Sequence, residues 1–142
     1  MAQGTYHHVG LVCKDPIAIE QWYGKHFGFE RARVVMPGSG QVVFIKSGNV
    51  YLELFQATQD APTPAPGGAG PEHPGWRHLA FKVDSVSAKL ADMGDGARVT
   101  LGPLDFSSVI PGWHTAWVAD PEGNIVEISE GYVDEENPPS AP

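Results

Sequence analysis

Apolar positions along the chain alternate between the period of a strand and that of a helix, and they do so twice in the same order. The first copy opens with the strand-like run His8-Val-Gly-Leu-Val. Asp15 then suits a helix N-cap and Pro16 the first helical position. Ile19, Trp22, Tyr23 and Phe27 recur at helical spacing, and Gly28 marks the stop. Three strand patterns follow, over 30–36, 41–46 and 50–56, separated by Pro37-Gly38-Ser39-Gly40 and Ser47-Gly48-Asn49. The second copy opens with His78-Leu-Ala-Phe-Lys-Val. Asp84 or Ser85 caps a helix with Val86, Leu90 and Met93 on one face, ending near Gly94 and Gly96. Strand patterns follow over 97–106, 114–119 and 124–130, the last two joined by the turn Asp120-Pro-Glu-Gly-Asn124.

Both copies read β-α-β-β-β, which predicts an internal duplication. Between them, residues 57–75 are rich in Pro, Gly and Ala, without the apolar periodicity to bury anything, and read as a flexible linker. Residues 132–142 read as a disordered tail. The expected organisation is one domain over 1–131, of modules 5–56 and 76–131, in the α+β class.

Composition narrows the function classes. The chain has 142 residues and a formal net charge of −8, from 9 basic and 17 acidic residues. Such a balance argues against nucleic acid, whose phosphates need basic patches. The single cysteine, Cys13, rules out a disulfide framework within one chain and suits a reducing cytosol. Met1 is followed by polar residues, so no signal peptide is expected, and no apolar run approaches a membrane span.

The repeat also carries polar residues at matching places. His8 and His78 open the first strand of each copy, and Glu53 and Glu127 lie in the last. A lone His at a strand start is usually a hydrogen-bonded structural residue, and a lone Glu usually faces water. Glu53 and Glu127, however, are flanked by apolar residues on both sides. A buried carboxylate costs several kcal/mol, roughly, unless it is paired or binds a metal. The four residues together therefore favour a metal site. Strand alternation places Tyr51 and Phe55 beside Glu53, Tyr6 beside His8 and Trp76 beside His78, as candidate pocket walls. His7 is expected to face away from His8. His114, after the loop Ser107–Gly112, reads as an exposed strand-start residue, with a second base or a substrate contact as its other reading. His26 and His73 read as structural or solvated, and Cys13 as a small strand residue.

With these motifs in place, the chain resembles the vicinal oxygen chelate superfamily, which includes glyoxalase I, methylmalonyl-CoA epimerase, fosfomycin-resistance transferases and extradiol dioxygenases. The carriers are His8-Val-Gly-Leu-Val with Asp15, Trp22-Tyr-Gly-Lys-His-Phe-Gly-Phe29, Tyr51-Leu-Glu-Leu54, His78-Leu-Ala-Phe-Lys-Val83 and Asp120-Pro-Glu-Gly-Asn-Ile-Val-Glu127. The last is the most specific, and the order of all five strengthens each. The resemblance implies a cup-shaped mixed sheet built from the two modules. It places His8, Glu53, His78 and Glu127 on the family's ligand positions, a set most similar to that of bacterial-type glyoxalase I.

That donor set suits one divalent ion, Ni, Co, Mn, Fe or Zn, with two positions open to vicinal oxygens of a substrate. The expected activity is a glyoxalase- or epimerase-type isomerase or lyase. It would act on a small α-hydroxycarbonyl or 2-substituted acid through a metal-stabilised enediolate. Glu127 is the first candidate base and Glu53 the second. The alternatives are a ligand-sequestering protein of the bleomycin-resistance kind and an Fe(II) dioxygenase. A cytoplasmic homodimer is expected, with no basic clamp for a thiol cofactor evident.

Overall fold

The computed structural model describes residues 3–38 and 40–142. Met1 and Ala2, in the start expected to carry no signal peptide, and Ser39, in the first expected turn, lie outside the described residues. The elements run β1 (His8–Cys13), α1 (Pro16–Phe27), β2 (Glu30–Val35), β3 (Val42–Ser47), β4 (Val50–Gln56), β5 (Leu79–Lys82), α2 (Val86–Met93), a 3-10 turn (Gly94–Gly96), β6 (Arg98–Asp105), β7 (His114–Ala119) and β8 (Ile125–Glu130). They form two four-stranded mixed sheets, ordered β1-β4-β3-β2 and β5-β8-β7-β6. In each, the first strand pairs in parallel with the last and the remaining pairs are antiparallel. The duplication expected from the sequence is thus present at the level of topology. No described helix is long and apolar enough to cross a membrane.

The chain divides into two compact units, Met1–Ala65 with Asp120–Gly123, and Pro66–Ala119 with Asn124–Pro142. In the first, one sheet face is buried under α1. Cys13, Val43, Ile45, Leu52 and Leu54 are buried there, as are Ile19, Tyr23 and His26 of the helix. The helix starts and stops where its local chemistry dictates. The Asp15 carboxylate accepts from the Ala18 amide at 3.1 Å, and Gly28 takes the left-handed conformation, φ 70°, that closes the C-terminus. The opposite sheet face carries His8, Phe44, Tyr51 and Glu53, whose strand positions pair directly.

The turn Asp120–Gly123 does more than reverse the chain. Asp120 is fully buried, and its Oδ2 accepts a hydrogen bond from the equally buried Tyr23 hydroxyl at 3.1 Å. Glu122 accepts from the Lys14 and Asp15 amides at 2.6 and 2.8 Å, satisfying donors at the turn into α1. Burial first, and the Asp120 charge second, push the Tyr23 phenol well above its usual range.

In the second unit, Val86 and Met93 of α2 are buried, and Val118, Val126 and Ile128 are buried in β7 and β8. Of the two candidate caps, Ser85 takes the role, accepting from the Ala88 amide at 3.2 Å. The parallel ladder begins at Leu79 opposite Val126, so His78 stands just before β5 and does not open it. The segment 57–75 forms no helix or strand, as its composition predicts, but it does bury something. Ala69 is 5% exposed and packs with Trp117 and Ile125, beside Leu104 and Phe106. Its carbonyl accepts from Arg77, and that of Gly68 from Thr100. A single small side chain flanked by glycines fits against an indole without needing any periodic pattern, which is why periodicity missed it.

Two outcomes follow from the buried polar group and thiol of the first unit. Tyr23→Phe leaves the Asp120 carboxylate one donor short and lowers stability by about 1–3 kcal/mol, read as an earlier urea midpoint. Cys13, with its thiol pushed up to about 12 by burial and then by Glu122, Asp120 and Asp15, stays protonated and unreactive toward disulfide reagents at mildly alkaline pH until the chain unfolds. Because the folded pKa is the raised one, stability linked to this group is present below about 9 and is lost as pH climbs toward about 12.

Candidate metal centre

Each unit brings together one of the predicted histidines and one of the predicted glutamates. In the first, Nε2 of His8 lies 3.3 Å from Oε1 of Glu53. In the second, Nε2 of His78 lies 2.7 Å from Oε2 of Glu127. The glutamates come from the last strand of each sheet, and strand alternation turns both away from the helix-covered face. Among the described residues, no three His, Cys, Asp or Glu side chains are gathered in metal-binding geometry. Each unit by itself supplies half of the predicted donor set.

The residues present fit a divalent ion in type and spacing. Imidazole nitrogens and carboxylate oxygens bind such ions at about 2.0–2.2 Å, so two donors at a right angle stand about 3 Å apart. The two His–Glu separations bracket that value. The side chains are partly sheltered: 33% and 20% exposed for His8 and Glu53, 20% and 14% for His78 and Glu127.

The supports around the pairs differ. His8 Nδ1 lies 2.7 Å from His7 Nδ1, so one ring donates to the other. With the proton on His8, its Nε2 lone pair is free, the arrangement found when a ligating imidazole hands its second N–H to a neighbour. His7 was expected to face away by alternation. It precedes β1, is not bound by the pleat, and stacks on Tyr51 with ring centroids 5.3 Å apart. In the second unit, Nδ1 of His78 is buried without a hydrogen-bond partner. There the carboxylate is the supported member: the Thr115 hydroxyl donates to Glu127 Oε1 at 2.8 Å. Neither His7 nor Thr115 was legible as a support in sequence, because each acts through a neighbour that only folding provides.

Of the predicted walls, Tyr51 and Phe55 share the face of Glu53. Gly10, opposite Glu53, leaves that face open, and a side chain there would meet the Phe55 ring. Tyr6 and Trp76 fall outside the strands and are 66% and 101% exposed, so neither walls its His as alternation suggested. His114 pairs with Glu130 on the face opposite Glu127, its Nε2 3.4 Å from Asp105. The aromatic partners that the register does supply are Phe44, opposite Glu53 with its ring 5.4 Å from that of His8, and Trp117, opposite Glu127. Their offsets from the motif glutamates depend on hairpin register, which the sequence does not state. The loop after β6 folds back locally, Phe106 and Trp113 packing at 5.1 Å and Trp113 Nε1 donating to Ser129.

Two β-α-β-β-β units, each pairing an N-terminal His with a Glu of its last strand, define a tandem-module α+β protein. The chain belongs to the Glyoxalase/Bleomycin resistance protein/Dioxygenase superfamily, whose model matches residues 5–128. Among solved structures it is similar to a glyoxalase family protein from Enterococcus faecalis, with 28% identity over 89% of this chain and 97% of that one, TM-score 0.68. It is also similar to a lactoylglutathione lyase from Agrobacterium tumefaciens, 27% identical over 92% and 96%, TM-score 0.60. The fosfomycin resistance protein FosX from Listeria monocytogenes shares the fold at 15% identity, covering 94% of both chains, TM-score 0.69. No curated protein matches the chain.

If His7 holds the His8 ring for ligation, His7→Phe keeps an aromatic ring over Tyr51 but removes the nitrogen partner. Affinity for Co(II), measured by competition with a chromophoric chelator, then falls about tenfold or more. An unchanged affinity would strip His7 of that role.

Proposed function

We propose that this protein is a divalent-metal-dependent isomerase or lyase of the glyoxalase or epimerase type. Its substrate is a small α-hydroxycarbonyl or 2-substituted acid. The observation that carries the reading is the repeated His–Glu pair, 3.3 and 2.7 Å apart, at equivalent places in both units. His8, Glu53, His78 and Glu127 would hold one ion, the modules pairing within a chain or between two chains of a homodimer. Superfamily membership and the similarity to a lactoylglutathione lyase support this class of chemistry.

When bound, the ion supplies Lewis acidity that stabilises negative charge on two neighbouring substrate oxygens. The chain's own residues supply the proton transfer. Glu127 is the base: the Thr115 hydroxyl donates to its Oε1 and sets its direction before substrate arrives, and Oε2 is the atom that would leave the ion to take the proton. It removes the proton from the carbon beside the carbonyl and returns it to the adjacent carbon while the hydroxyl proton passes to the other oxygen; for epimerisation, protonated Glu53 would deliver a proton to the opposite face of the same carbon, solvent restoring both carboxyl groups. Glu53, whose Oε1 lies 3.3 Å from Nε2 of His8, is the second candidate. Tyr51, Phe55 and Phe44 give the Glu53 face an apolar lining that limits water. The lone buried Cys13 suits a reducing cytosol.

The deciding experiment combines metal analysis of the purified protein with solvent deuterium uptake into candidate 2-hydroxy and 2-keto compounds, followed by NMR. Glu127→Gln should abolish uptake, a loss of at least about a hundredfold, while metal remains detectable. Normal exchange in that variant would transfer the role elsewhere. Tight ligand binding without metal or exchange would identify a sequestering protein of the same fold instead.

A further inference from the structure

The open face of the first sheet holds a cleft of about 500 Å³, lined by His7, Arg31, Arg33, Phe44, Lys46 and Tyr51, with Ala32. Three of the chain's nine basic residues meet here, in a protein whose net charge is −8. Of the three, Arg31 is turned toward α1: it stands opposite the buried Ile45, and its Nε lies 2.6 Å from Oε1 of Glu20. Arg33 and Lys46 have no ion pair or side-chain hydrogen bond among the described residues, although Glu30 stands opposite Lys46 in the ladder. Two cations left uncompensated beside two aromatic rings make a surface that attracts an anion and excludes part of its water.

The register ties this cleft to the His8–Glu53 pair. Arg33, Phe44 and Glu53 are successive partners across β2, β3 and β4, and Lys46, Tyr51 and His8 form the neighbouring row across β3, β4 and β1. With strands about 4.8 Å apart, the Arg33 and Glu53 backbones stand about 10 Å apart on one face. His7 belongs to both places, lining the cleft while its ring touches His8. We propose that this cleft binds an oxyanionic group, a carboxylate or a phosphate, carried by the substrate at the end remote from the atoms handled at His8 and Glu53. The substrate class narrows accordingly to a bifunctional molecule, with its vicinal oxygens at one end and an anion at the other. This substrate assignment rests on the proposed function, but anion binding in the cleft is testable without it.

The test uses the full chain, labelled with 15N and free of added metal, titrated with inorganic phosphate and separately with acetate. Phosphate or acetate should shift the amide signals of residues 31–33, 44–46 and 51, with binding that weakens as NaCl is raised. Arg33→Gln with Lys46→Gln should weaken binding at least about tenfold. Both side chains are exposed and unpaired, so the double variant keeps the parent's amide dispersion and circular dichroism. Arg33→Lys with Lys46→Arg, which keeps both charges, should stay within about threefold of the parent. Tighter binding of phosphate assigns a phosphate group and tighter binding of acetate a carboxylate, and either supports the cleft. No shifts in these residues, or shifts unchanged in the Gln variant, would overturn it. A parallel Co(II) titration separates the two proposals: absent metal binding removes the proposed function and leaves anion binding untouched.

Discussion

A carboxylate on a half-buried strand face must find a partner, and the arrangement of both His–Glu pairs descends from that requirement. Glu53 and Glu127 lie between apolar neighbours that anchor the helix-covered face of their strands. Alternation then forces each carboxylate onto the other face, where water is partly excluded. An imidazole from the start of the module meets it there, because the first strand pairs in parallel with the last and brings the two ends together. Parallel pairing requires a crossover, and α1 and α2 supply it. The helix, the parallel ladder and the His–Glu contact are therefore one structural consequence.

Duplication repeats this device without repeating its supports. The first pair is steadied on its imidazole by His7, the second on its carboxylate by Thr115. The first sheet face is rimmed with cations, whereas the second carries Trp117 and Ser129 beside Glu127, with Trp113 bonded to Ser129. Two copies that share topology have diverged in what surrounds their common residues. In a superfamily that spans lyases, resistance proteins and dioxygenases, such surroundings are where function is set.

The acidic total charge conceals this divergence. Seventeen acidic residues spread along the chain set the sum, while Arg33 and Lys46 come together only because β2 and β3 pair antiparallel. Scattered along the sequence they look like ordinary surface cations. The turn Asp120–Gly123 shows the same limit. Its sequence announces a reversal, but nothing local says that Asp120 will be buried against Tyr23, 97 residues away.

What the sequence determined by itself was periodic or local: the two β-α-β-β-β runs, the Asp15 cap, the Gly28 stop, and His and Glu at matching places in both copies. These follow from side-chain period and from hydrogen bonds within a few residues, which a linear string records. Tertiary structure decided the rest. Register chose Phe44 and Trp117 as the aromatic neighbours, and the end of the pleat released His7 toward His8 and left Tyr6 and Trp76 in solvent. Long-range packing buried Ala69 from a segment with no pattern, and strand pairing set Arg33 and Lys46 beside one cleft. Such outcomes depend on which strands become neighbours, and in what register, and no local sequence signal carries that information.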